Sequence, residues 1–348
     1  MHVIIVLCVL TGCEAPEPPP SPVAAPAAAA KHVSGRHKAL FGKLPTRMES
    51  PGRAKASAEL IALGRVLYYD PRLSVSNTIS CNTCHPLDRF GVDNQPKSPG
   101  HDGARGRRNA PSTYNAAGHK ALHWDGSQPD VETQAGRPIL DPLEMGMPDE
   151  ASVEAKLAAI EGYPALFAAA FPGVEPPLTF GNLETAIGAF ERGLVTPGPL
   201  DAYLAGDAEA LTHEQRTGLE AFVRTGCTTC HLGPYVGGSS FQQLGLVTPY
   251  VVADEGRFAV TGNPTDLHVF KPPSLRNVAQ TAPYLHDGSV STLPEVIGVM
   301  ARHQLGKQLE PSTVDAIVAF LQALTGEIPS EYVARPPLPG ITASAETQ

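Results

Sequence analysis

Cys81-Asn82-Thr83-Cys84-His85 and Cys227-Thr228-Thr229-Cys230-His231 are the two stretches on which the reading of this chain turns. Each is a complete Cys-x-x-Cys-His motif, the pattern of covalent c-type haem attachment. Two thiols at this spacing add across the vinyl groups of a porphyrin edge, and the adjacent His reaches the iron from the proximal side. Neither motif is followed by the spacing of a zinc site, and a redox dithiol has no use for the His. The other cysteines, Cys8 and Cys13, lie in the N-terminal segment, and no disulfide is expected. Two covalently bound haem c groups are therefore the expected cofactors.

Downstream of each motif a second signature repeats. Pro111-Ser112-Thr113-Tyr114-Asn115 leads to Asp125-Gly126-Ser127, and Pro273-Ser274-Leu275-Arg276-Asn277 leads to Asp287-Gly288-Ser289 at the same separation. Trp124 stands in the first copy where His286 stands in the second. Self-similarity of this kind points to a duplicated haem domain.

Between these landmarks the periodicity is helical. Ser57 can cap a helix running to Tyr69, with Leu60, Ile61, Leu63, Val66 and Leu67 available for a buried face. Residues 152–161 and 182–192 carry the same period. Thr212-x-x-Gln215 and Thr292-x-x-Glu295 are capping boxes, the first opening the helix that delivers Cys227. Ser312-x-x-Asp315 is a looser start for a helix ending near Gly326. No alternating strand run of useful length appears. The expected fold is all-α and loop-rich, with two cytochrome c-like haem domains in tandem over residues 46–195 and 196–335. Thr196-Pro197-Gly198-Pro199 separates them, and 336–348 is a tail.

The composition fits this plan. The chain has 348 residues, 42% hydrophobic and 18% charged, with 33 Gly and 35 Pro, which suits short elements joined by long loops. A net charge of −9 argues against a nucleic-acid partner and suits a basic protein partner or none. Residues 1–12 read as a lipoprotein-type signal peptide, since Leu10-Thr11-Gly12-Cys13 has the form of a lipid-acceptor site. The apolar run before it is too short to span a bilayer. Residues 13–45 begin with an Ala- and Pro-rich run that cannot build a core and read as a tether. The expectation is a periplasmic protein that meets a membrane only through a lipid anchor at Cys13.

The remaining axial position of each iron decides between electron transfer and chemistry. In the first half the candidates are His101, His119 and His123. His101 sits in the Gly- and Pro-rich loop Gly91–Arg108, from which a ligand could leave at modest cost. In the second half Met300 falls on the helix after the Thr292 capping box, where a Met also serves as core filler. Met145 and Met147 follow the first motif and are the competing thioethers.

The chain resembles the bacterial dihaem cytochrome c peroxidases over nearly all of residues 57–330. The resemblance is carried by Leu73-Ser74 through His85, Arg108-Asn109-Ala110-Pro111, Trp124-Asp125-Gly126 and Pro142-Leu143-Glu144-Met145-Gly146. It continues in Pro273-Ser274-Leu275-Arg276-Asn277, Thr281-Ala282-Pro283-Tyr284, and Met300 with Gln304-Leu305-Gly306. It implies a peroxidatic N-terminal haem and a higher-potential C-terminal haem where electrons enter. It implies His85 and His231 as proximal ligands, His101 as a displaceable distal ligand and Met300 as a permanent one. Trp124 would lie between the haems, and Asn109 with the carbonyls of Thr281 and Pro283 would form a calcium site. Gln134 and Glu144 would face the open side of the peroxidatic haem, with Glu144 as acid–base group. The implied substrate is hydrogen peroxide, and the implied electron donor is a small cytochrome c or cupredoxin. A homodimer is compatible with the resemblance. One departure is His123, where the family usually has an apolar or aromatic residue before the bridging Trp. Two other readings stand beside this one: a dihaem electron carrier with both irons firmly six-coordinate, and a dihaem oxidase of a partner protein. The latter relative carries Tyr where this chain has Met300.

Overall fold

The computed structural model describes residues 33–49 and 55–341. The expected signal, Cys8, the acylation site Cys13 and the Ala/Pro-rich run lie outside the described residues. Helix α1 (Gly35–Phe41) comes first, followed by α2 (Ala58–Tyr69), the single turn α3 (Cys81–Cys84), α4 (Val131–Leu140), α5 (Glu150–Ala158), α6 (Tyr163–Ala170) and α7 (Phe180–Glu191). The chain continues through α8 (Pro199–Ala205), α9 (His213–Thr225), the short α10 (Phe258–Thr261), α11 (Leu293–Leu305) and α12 (Pro311–Gln322). The strands are two residues long, β1 (Gln242–Gln243) and β2 (Val269–Phe270), paired antiparallel with Gln242 opposite Phe270. The expected helical, loop-rich character holds.

The helix ends follow their caps. Ser57 Oγ accepts from the Leu60 amide at 3.1 Å, and Thr212 with Gln215 and Thr292 with Glu295 close reciprocal boxes. The helix expected to start near Ser312 begins one residue earlier, with Pro311 in its first turn and Glu310 as a cap whose side chain makes no capping bond. Proline supplies the start there because its fixed φ suits the first turn and its missing N–H would go unused.

Two apolar cores organise the chain. In the first, α2 packs on α7, burying Leu63, Leu67, Tyr68, Ile187 and Phe190. In the second, α9 packs on α12, burying Leu219, Phe222, Ile317 and Phe320. Both crossings turn on a glycine. A Cβ on Gly64 would sit 1.8 Å from the Ala186 carbonyl oxygen, and one on Gly218 would sit 1.9 Å from that of Ala316. The sequence repeat is thus a repeat of packing as well.

The ends of the described chain cross over. Phe41 of α1 is fully buried in the second core against Phe320. Residues expected to be tether therefore include a packed helix, because Leu40 and Phe41 bring enough apolar surface to be buried. In the opposite sense Val333 and Leu338 join the first core, where Tyr69 Oη donates to the Val333 carbonyl at 2.6 Å. Leu338 lies within the segment expected as a tail.

Candidate active site

Each Cys-x-x-Cys-His motif is one tight turn that presents its His. In the first, the Ser80 amide donates to Thr83 Oγ1 at 3.0 Å, and the His85 amide donates to the Cys81 carbonyl at 2.9 Å. The His85 ring then points Nδ1 at the Gly91 carbonyl, 3.1 Å away. A carbonyl only accepts, so Nδ1 carries the proton and Nε2 keeps the lone pair that a metal needs. Burial lowers the His85 pKa, and the Gly91 carbonyl opposes that only in part. In the second motif, Gly226 at φ 102° ends α9, and the His231 amide donates to the Cys227 carbonyl at 3.0 Å. Burial holds His231 at about 4, so this imidazole too is neutral at ordinary pH.

The four thiols are free, and desolvation raises the pKa of each, Cys84 and Cys227 to about 11. Such thiols are poor thiolates for metal or redox chemistry. Around the second motif lies a cavity of about 250 Å³ lined by Cys227, Cys230, His231 and Met300, with Trp124 also in its wall. On α11, Leu293, Ile297 and Ala301 are buried, whereas Met300 faces this cavity. The donor set and the largely apolar wall fit a haem, which Cys227, Cys230, His231 and Met300 would hold.

Near the first motif two loops close on each other. The His101 amide donates to the Glu144 carbonyl at 2.7 Å, and the His101 ring lies against Gly146, where a Cβ would come within 2.4 Å of Nε2. Glu144 is pushed up to about 7, chiefly by burial and then by Asp141, with Arg107 opposing. Its charge acts on both Cys81 and Cys84, which places it toward the first haem motif. Gln134 sits on α4, and the 141–147 loop folds back onto that helix through Met145 N–H to Pro138 O at 3.1 Å and Met147 N–H to Ile139 O at 2.9 Å. Met145 and Met147 are core residues of the first half, 2% and 6% exposed, and neither is among the residues that line the second cavity. His119 and His123 line the second cavity.

Trp124 Nε1 donates to the Asn109 carbonyl at 2.9 Å, and its ring meets His286 edge-on at 6.4 Å. Asn109 Nδ2 donates to the Gln95 carbonyl at 3.0 Å, which leaves its amide oxygen for a cation. Asn109, Thr281 and Pro283, the three expected calcium donors, all line this same second cavity.

The sequence model of the di-haem cytochrome c peroxidase family matches residues 58–209. The cytochrome c551 peroxidase of Pseudomonas aeruginosa is 42% identical over 331 residues, covering 93% of this chain and 94% of that one. The chain belongs to the dihaem cytochrome c peroxidase family. The cytochrome c551 peroxidase of Nitrosomonas europaea is also 42% identical, over 78% of this chain and 82% of its own length. Among solved structures, a MauG-like protein associated with microbial copper homeostasis superposes with a TM-score of 0.74 at 32% identity, covering 85% of this chain and 98% of that one.

Within this dihaem family member, sequence reasoning missed two things. Arg108 bridges the halves, pairing with Asp125 at 2.5 Å and with Asp254 at 2.6 Å. Lys271 is buried in the wall of the second cavity beside His119. The available signal for the latter was a charge set between Val269-Phe270 and Pro272-Pro273.

Proposed function

We propose that this protein reduces hydrogen peroxide to water with electrons from a small cytochrome c or cupredoxin. The observation that carries the reading is the pairing of His101 and Glu144 over the first Cys-x-x-Cys-His motif, with Glu144 poised near neutrality. The two haems supply the iron that binds peroxide and the store for the electrons it consumes. Glu144 takes the proton from the near oxygen of peroxide and returns it to the far one. Gln134, on the helix that backs the same loop, orients peroxide or water. His101 is a displaceable ligand: its loop is anchored at its flanks by Asn94, Arg107 and Arg108, while His101 itself is tied outside the loop through its amide to the Glu144 carbonyl. His85 and His231 are the proximal ligands, and Met300 closes the second site.

Two tandem cytochrome c-like haem domains, peroxidatic first and electron-entry second, are supported by the doubled helix crossing and the doubled motif. Trp124 is the conduit between them, and its contacts with Asn109 and His286 support this. Asn109 with the Thr281 and Pro283 carbonyls would hold calcium, an oxygen donor set that suits a hard cation. Covalent haem motifs and the Leu10-Thr11-Gly12-Cys13 segment support a periplasmic, lipid-anchored protein. No described helix is long and apolar enough to cross a membrane.

The test is direct. Mass spectrometry of the mature protein should show two haem additions that survive acid-acetone extraction. The same preparation should consume peroxide in proportion to the oxidation of reduced cytochrome c or cupredoxin. A single addition, or two haems with no peroxide turnover from any such donor, would overturn the reading.

A further inference from the structure

Lys271, directly after β2, is only 7% exposed and lines the cavity shared by His231 and Met300. Among the described residues it forms no ion pair. Its nearest polar partner is His119, with Nζ 3.4 Å from Nδ1. An ammonium only donates, so Nδ1 accepts and the ring proton of His119 sits on Nε2. That Nε2 is buried and has no partner among the described residues. The wall therefore presents two buried donors and, among the described residues, no carboxylate to receive them.

Nor do the described residues supply a counter-charge. Among the described residues no Asp or Glu lines the cavity, and its Arg276 is already neutralised by Asp201 through bonds of 2.9 and 2.8 Å. Burial of Lys271 pushes its pKa down to about 8, and no neighbouring anion opposes this. A buried cation without a counter-charge is costly, and a site that keeps one is built for an incoming anion. The His119 ring is held in place by Gly238, where a Cβ would come within 2.4 Å of it, and by the Tyr235 ring at 5.8 Å.

We propose that Lys271 and His119 form a clamp for a carboxylate carried by the occupant of this cavity, a propionate of the second haem. This rests on the haem reading above and adds a role to it. His119 comes from the first half and Lys271 from the second, so the clamp ties the group to both. The Lys271 backbone N–H also donates to the Trp124 carbonyl at 2.7 Å, which fixes the clamp relative to the indole. A fixed positive charge beside the ring favours the reduced iron over the ferric one. Lys271 is thus a positioning residue that keeps the second haem reducible.

The experiment compares the full-length holoprotein with Lys271→Met and Lys271→Arg. Haem additions are counted first by mass; wild type without two would sink the haem reading itself. Spectroelectrochemical titration then reads each midpoint. Lys271→Met should lower the reduction equilibrium constant of the second haem at least tenfold, which is 59 mV for a one-electron couple. Lys271→Arg should stay close to wild type, and the first haem should move less. An unchanged second midpoint in a Lys271→Met protein carrying both haems would overturn the clamp. So would a wild-type midpoint that responds to added acetate while that of Lys271→Met does not, since the carboxylate would then come from solution. If Lys271→Met fails to retain haem, redox difference infrared spectra of wild type and His119→Gln with propionate-labelled haem decide. A label-sensitive carboxylate band that shifts in the variant supports the clamp, and one that does not shift overturns it.

Discussion

Glu144 illustrates how little of a residue's chemistry is written in its neighbours along the chain. In Pro142-Leu143-Glu144-Met145-Gly146 it reads first as a surface carboxylate, and only the resemblance gave it a role. The fold half-buries it beside the His101 loop, and that desolvation moves its titration to about 7. Glu144→Gln keeps the size of the group and removes proton exchange, so turnover with peroxide should fall by roughly 10²–10⁴-fold while the haem absorption spectra stay nearly unchanged. The sign of the pH effect follows. The base form accepts the peroxide proton, so the peroxide-dependent rate of wild type should rise with pH through about 7, and that limb should vanish in Glu144→Gln. Near-normal turnover in the variant would move the acid–base role elsewhere. The Cys and His of both motifs were legible because covalent attachment fixes their spacing locally. The Lys271–His119 pair was not, because nothing local brings those two residues within 3.4 Å.

Helices with side-chain caps were legible from sequence: α2 behind Ser57, α9 behind Thr212 and α11 behind Thr292. Those without a clean period were not. Helix α6 is apolar almost all round, α8 is a single short element opened by Pro199, and α4 contains Pro138. Their helicity comes from packing, which a local reading does not see. Helix α11 carries the functional consequence. Its buried residues orient Met300 to the cavity, and Gln304 ties its end to the 243–246 strap, with Oε1 accepting from the Gly245 and Leu246 amides at 3.0 and 2.9 Å. A thioether on such an anchored helix favours ferrous iron relative to imidazole. Met300→His should therefore lower the second midpoint by a factor of about ten or more in the reduction equilibrium and suppress turnover with a cytochrome donor. A redox titration with both midpoints unchanged would mean that Met300 is not the ligand.

For the whole molecule, the repeat legible in the sequence becomes a hydrogen-bonded junction. Asn115 and Asn277, equivalent residues of the two copies, are both fully buried and both left-handed, with φ 62° and 61°. Their Nδ2 groups converge on the hydroxyl of Thr196, at 2.8 and 2.9 Å. Thr196→Val keeps the shape and strands both amides, at a cost of about 1–3 kcal/mol for each buried donor left unpaired. Chemical denaturation should show that loss, and Thr196→Ser should restore most of it. The sequence marked Thr196-Pro197-Gly198-Pro199 as a break; it could not show that the break is also a bolt. The crossed ends carry a consequence for the order of events during biosynthesis. Val333 and Leu338, among the last described residues to be made, complete the core that Leu63 and Phe190 begin, while Phe41, among the first, waits for Phe320. The first core therefore stays unfinished until residues 333–338 have been made, whereas the second draws on no described residue beyond Leu324. Completion of the first core is thus a late event in the making of this chain, although most of its residues are made early.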